Sequence, residues 1–142
     1  MATKFEDLRK ALTSPMASVL PDVDRVFPNR DYTPTTGEPY MKYFVLRNQP
    51  GAATLGADGL DVHTGVFQIS LFYPKSTGDI ELLKAADEIE TVYQHYMRRQ
   101  SLTSGDVSVR ITSVGAGNSS ADSAWFFMPI NINYESFIKG VS

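Results

Sequence analysis

The sequence contains no cysteine. Disulfides, thiolate nucleophiles and cysteine-ligated metal or iron–sulfur sites are therefore excluded. Histidine is scarce as well: two in 142 residues leave little for a histidine-based metal site. Uninterrupted apolar runs reach only about five residues, far short of the ~20 that a membrane-spanning helix needs. Positive charge is in deficit, with 13 Lys and Arg against 16 Asp and Glu and a net charge of −3. That balance argues against generic binding to nucleic acid or to acidic membranes. The start, MATKFEDLRKAL, lacks the basic and apolar regions of a signal peptide, so the expected compartment is a cytoplasm.

What is present is ordinary for a globular domain. Apolar residues make up 42% and charged residues 20%, enough to fill one core and too many to leave the chain disordered. Residues 1–142 are expected to form a single domain, because about 100–200 residues is the usual size. Residues 3–13 read as a helix, with Phe5, Leu8 and Leu12 at helical spacing and Thr3 and Glu6 in a capping-box pattern. Residues 21–39 hold four of the eight prolines and read as an extended connector anchored by Val26 and Phe27. Residues 40–47 and 62–73 read as strands, with Phe67, Ile69, Leu71 and Tyr73 on one face of the second. Gly65 marks a bulge or a close approach. Between these strands, residues 48–61 are rich in glycine and alanine and read as a flexible loop.

Residues 79–99 give the clearest helical stripe: Ile80, Leu83, Ala86, Ile89, Tyr93 and Tyr96. Residues 106–114 alternate, with Val107, Val109 and Ile111 opposite Ser108, Arg110 and Thr112. Residues 115–122 read as a turn and 123–134 as a last strand, in which Pro129 points to an edge or bulged position. Residues 135–142 read as a frayed tail. Together these elements predict an α+β fold. Its sheet is mixed and mostly antiparallel, of about four strands, with two helices packed on one face.

No catalytic constellation stands out. His63 opens a strand and His95 lies late in a helix, with no local group to orient either as a base. Gly115-Ala116-Gly117 resembles a phosphate loop, but a strand pattern follows it instead of a helix, so a hairpin turn explains it better. Asp87, Glu88 and Glu90 lack the histidine of a di-metal Glu-x-x-His set and read as a solvated helix face. Asn118-Ser119-Ser120 matches a glycosylation sequon, which carries no meaning without secretion. Arg25 and Arg30, and Lys42 and Arg47, flank aromatics in a way that can serve single-strand binding, but strand chemistry accounts for the same residues.

One pattern is unusual. No Lys or Arg occurs between residues 48 and 74 or between 111 and 138. Both stretches contain long strands with large apolar residues on both faces: Val66 and Phe72 opposite Phe67 and Ile69, and Trp125 and Phe127 opposite Phe126 and Met128. Two helices cover one face of a sheet. The other calls for another subunit or for cover by the chain's long loops.

The order and spacing of several elements resemble a known family. They are Phe27-Pro28, Pro39-Tyr40, the small-residue stretch Ala52–Gly56, Gly65-Val66-Phe67-Gln68-Ile69, Tyr73-Pro74, Gly78 and Ala85-Ala86-Asp87-Glu88-Ile89. Over residues 20–95 they resemble the tail terminator, tail-completion or minor tail proteins of long-tailed bacteriophages. The resemblance implies a structural protein of virion assembly, not an enzyme, with no cofactor or metal. Such a protein forms a homo-hexameric ring on the tail tube, ends tube polymerisation and provides the surface for head–tail joining. Its partners would be its own copies, the tail tube protein and the head–tail connector protein. Membranes and sequence-specific nucleic acid are not expected, although DNA would pass through the ring. Its place would be the head-proximal end of the virion tail, reached from the host cytoplasm. The candidate interface residues are Tyr40, Leu55, Leu60, Phe72, Trp125 and Phe127. Alternatives are a head-completion or tail-tube subunit, or a small-molecule-binding or hydrolytic domain acting through His63.

Overall fold

The computed structural model describes residues 4–21, 23–27, 38–48, 51–52, 60–75, 80–97, 101–105, 107–122 and 125–139. The chain opens with helix α1 (Lys4–Thr13) and a 3-10 turn (Ser14–Ser18), then strands β1 (Asp24–Val26), β2 (Tyr40–Arg47), β3 (Gly51–Ala52) and β4 (Leu60–Pro74). Helix α2 (Ile80–Met97) follows, then β5 (Leu102–Ser104), β6 (Val107–Ala116), β7 (Ser120–Asp122) and β8 (Trp125–Lys139). The strands form one sheet in the order β1-β2-β4-β8-β6-β5, with β3 added to β4 and β7 to β8. All pairings are antiparallel except β1 with β2, so the sheet is mixed.

The α+β class holds, but the sheet has eight strands, not about four. Four of the additional pieces, β1, β3, β5 and β7, are only two or three residues long, too short to leave a periodic signal. The tail reading also fails in part: β8 runs to Lys139, because residues 135–139 pair with Leu60–Thr64. Of the 48–61 loop, Gly51 and Ala52 pair with Val62 and Asp61, Leu60 begins β4, and residues 53–59 lie outside the described residues.

β4 and β8 are fifteen residues each and stay in register from Leu60–Lys139 to Pro74–Trp125. Their pairing sets the two faces by the period of two. Phe67, Ile69, Leu71, Met128, Ile130, Ile132 and Tyr134 point to the helix side and are buried. Met41 and Tyr43 from β2, with Val107, Val109 and Ile111 from β6, complete that layer. Leu8, Ala11 and Leu12 of α1, and Leu82, Ala85, Ala86, Ile89 and Tyr93 of α2, close it. Two stripe residues differ from expectation. Leu83 and Ile80 are 48% and 61% exposed, and Leu82 takes the core position, so α2 is rotated relative to the simplest stripe. On α1, Phe5 is exposed under the Arg47 guanidinium, 4.8 Å away, and Ala11 is buried instead. Tyr93 ties the two helices by donating its hydroxyl to the carbonyl of Leu12 at 2.5 Å.

Three irregularities follow from particular residues. Gly65 is a close approach and not a bulge: a Cβ there would overlap the Leu46 carbonyl oxygen and lie 2.8 Å from the Tyr134 hydroxyl. The bulge falls on β6, where the register shifts between Ile111 and Ser113. Pro129 lies in an interior strand, contrary to the edge expectation. It is tolerated because the β6 ladder ends at Ala116–Ile130 and the β7 ladder begins at Ser120–Phe127. Pro129 spans that gap and accepts a bond from the Gly117 amide at 2.7 Å, so no ladder donor is missed.

Two predictions follow from this core. Ile69 and Ile89 are fully buried, so truncating either to Ala is expected to cost about 2–5 kcal/mol in chemical denaturation. A shift below about 1 kcal/mol for both contradicts the packing. The Tyr43 hydroxyl is buried with no hydrogen-bond partner among the described residues, and burial pushes its pKa up to about 12 against the lowering effect of Arg25. The unfolded chain ionises this group near 10.0, so its contribution to stability is intact below that pH and is lost as pH rises towards about 12. Tyr43→Phe is therefore expected to keep or raise stability at neutral pH and to flatten the loss above pH 10 in a melting series. An unchanged alkaline profile contradicts it.

Candidate functional site

With both helices on one side, the other face of the sheet carries its own side chains outward. At one end these are aromatic. Register places Tyr40, Phe72 and Phe127 in one row across β2, β4 and β8. Tyr40 and Phe72 stack at 4.6 Å and 3°, and Phe72 and Phe127 at 5.7 Å and 27°. Trp125 meets Tyr40 edge to face at 5.1 Å and 86°. The Lys42 ammonium lies 5.5 Å above the Phe72 ring. Both aromatic geometries suit the ring quadrupole, and the cation adds to them.

Four of the six candidate interface residues thus form one cluster. Tyr40 is buried, at 5% exposure, by its aromatic neighbours and stands outside the helix-side core. Phe72, Trp125 and Phe127 are half-buried. Leu60 pairs with Lys139 at the far end of β4, so it is not part of the cluster. Leu55 lies outside the described residues.

The same face continues with residues not singled out from the sequence. Phe44 and Leu46 of β2 are 38% and 54% exposed, and Phe137 of β8 is also exposed. Their signal was available: they share the alternation of Tyr40 and of Trp125 and Phe127. Between them lies a polar depression of about 300 Å³, lined in part by Asn48, Thr64, Thr112, Ser113, Asn133 and Glu135. Its groups bond among themselves: Asn48 donates to Thr64 at 3.1 Å and Asn133 to Ser113 at 2.7 Å. Glu135 meets Arg110 at 3.4 Å.

These groups assemble no nucleophile and base. His63 is buried on the helix side opposite Ser136, whose hydroxyl donates to the Ser108 carbonyl at 2.6 Å. That hydroxyl proton is committed to the backbone. His95 is exposed and packs edge-on to Tyr96. Among the described residues, no group of three or more His, Asp or Glu is placed to hold a metal, and no helix is long and apolar enough to cross a membrane.

A model of the phage tail terminator protein family matches residues 7–134. The chain belongs to that family. Membership makes it a structural component of a phage tail and extends the resemblance of residues 20–95 over both helices and most of β8. Fourteen chains of solved structures also match. One of them superposes with a TM-score of 0.74 at 19% identity, covering 95% of this chain and 96% of its own, which shows a shared fold. No curated protein matches.

The single tryptophan reports on the cluster. Tyr40→Ala is expected to red-shift Trp125 emission and raise its quenching by acrylamide, with far-UV circular dichroism unchanged. Emission identical to that of the unmodified protein means that the edge-to-face contact does not shield the indole.

Proposed function

We propose that this tail terminator acts as a homo-hexameric ring that caps the tail tube, stops its polymerisation and presents a surface to the head–tail connector. The observation that supports this reading is the sheet face that no described helix covers, with a half-buried aromatic cluster at one end and exposed Phe44, Leu46 and Phe137 beyond it. Exposed apolar and aromatic groups clustered in this way mark association surfaces, and aromatics dominate their energetics. On this reading the tube protein and neighbouring copies cover the face, and DNA passes through the ring without being read. The ring joins the head-proximal end of the tail after assembly in the host cytoplasm. The chain's work is contact and geometry, with no substrate and no cofactor.

Replacing Trp125 and Phe127 together with serine separates folding from assembly. The expected outcome is a folded chain with near-normal far-UV circular dichroism that no longer forms rings in negative-stain images or shortens tubes in a polymerisation assay. A double variant that still forms rings and still terminates tubes overturns the role of these residues. A chain that neither forms a six-protomer species nor binds tubes overturns the ring itself.

A further inference from the structure

Among the described residues, the sheet has two edge stretches with no strand beside them. On β6, the partner β5 covers only Val107–Val109, and no described strand lies beside residues 110–116 on that side. On β2, β1 covers only Tyr40–Lys42, and no described strand lies beside residues 43–47. The direction of the backbone groups can be read from two bonds. The Gly117 amide donates to Pro129, so by alternation Gly115 and Ser113 bond towards β8, and Val114 and Ala116 turn their amides and carbonyls to the open edge. The Asn48 amide donates to Thr64, so Leu46 and Phe44 bond towards β4, and Tyr43, Val45 and Arg47 face outward.

Proteins guard such edges with charge or proline. Beyond Arg110, residues 111–121 hold neither. The surfaces beside the edges also complement each other. Gly115 has open space where a Cβ would stand, whereas Phe44 and Leu46 project from β2 on the same face. Large side chains cover a bare glycine on a neighbouring strand. Strand direction agrees too: β6 runs antiparallel to β8, β8 to β4 and β4 to β2, so a second β2 beside β6 is antiparallel and keeps its helices on the same side.

The geometry points to strand addition between copies: the Tyr43–Arg47 edge of one chain pairs with the Ile111–Ala116 edge of the next, seating Phe44 and Leu46 over Gly115. The contact is heterologous, so repetition either closes a ring or grows a fibre. Only its closure into six rests on the ring reading above. The aromatic cluster, at one end of the same face, takes no part in this pairing and is left to the further contacts that the ring reading assigns to it.

The absence of native cysteine gives a clean test. Leu46→Cys and Gly115→Cys are made separately, one carrying a size tag, and oxidised alone and mixed. Paired strands bring the two positions within disulfide reach. The expected result is a mixed covalent dimer far above either homodimer. Equal cross-linking of Gly115→Cys with itself shows β6 meeting β6 and overturns the pairing, as does the lack of any mixed product. In parallel, Ala116→Pro removes one outward amide at an exposed position, and Gly115→Glu fills the open space. Each is expected to weaken assembly by about tenfold or more with melting unchanged. If both assemble like the unmodified chain, edge pairing is wrong while the ring stands. If the unmodified chain forms no ring, alone or on tubes, the ring reading fails, and the mixed cross-link still decides the pairing. Should a variant unfold, the cysteine result decides alone.

Discussion

The fifteen-residue ladder between β4 and β8 is the constraint on which the rest depends. A strand pair that long, held in one register, commits every second residue to each face over its whole length. A slip by one would exchange Phe67, Ile69 and Leu71 for Gln68, Ser70 and Phe72 in the core, which the helices could not accept. The helices then have one task. They cover the face that Ile130, Ile132 and their neighbours define, and the described residues hold no third helix for the opposite face.

That asymmetry explains why the outer face is built as it is. A sheet face bare to water in a monomer is normally polar. Here the polar residues gather at the depression lined by Asn48, Thr64 and Asn133, and satisfy one another. The aromatic residues gather at the opposite end and shield one another: Tyr40 is as buried as a core residue although it stands outside the helix-side cluster. The stacked row lowers the cost of an unpartnered apolar surface and keeps its rings in fixed orientations, so docking on it would lose little side-chain entropy. The charge deficit in residues 48–74 and 111–138 belongs to the same arrangement, since cations on this face would have to be desolvated in any close contact.

Much of this was legible in the sequence, and the rest was hidden for physical reasons. The long periodic elements, α1, α2, β2, β4, β6 and β8, carry their own signal, and their outlines fell within a few residues. β5 and β7 exist only because β6 and β8 offer them an edge, so nothing local marks them. The extension of β8 past Tyr134 has the same origin: Glu135, Ser136 and Lys139 do not read as strand until the first half of β4 is seen to need a partner. Among site residues, Trp125, Phe127, Phe72 and Tyr40 were found through two-sided apolarity. Phe44 and Leu46 share Tyr40's alternation and were passed over because a single exposed apolar residue on a strand is ordinary until the strand's neighbours show that its face is shared. The bulge at Thr112 was invisible too, as no glycine or proline marks it.

The bulge has a consequence beyond local geometry. Before it, Val107, Val109 and Ile111 face the helices. After it, Val114 does, and Ser113 and Gly115 face outward. Without the extra residue, the unbroken alternation would turn Ser113 and Gly115 inward and Val114 outward, opening a gap in the core and placing a bulky residue beside the bare edge. One inserted residue therefore fills the helix-side layer and leaves small residues, Ser113 and Gly115, on the outer side of β6. Bulges are usually seen as a way to twist an edge out of reach of other strands. In this sheet it does the reverse: beyond Thr112, β6 rejoins β8 in regular register through Ala116, and its outward amides at Val114 and Ala116 stay aligned along an uncharged edge. Evenly spaced donors and acceptors are what a second strand requires, so the irregularity that completes the core also suits this edge to the strand pairing proposed for it.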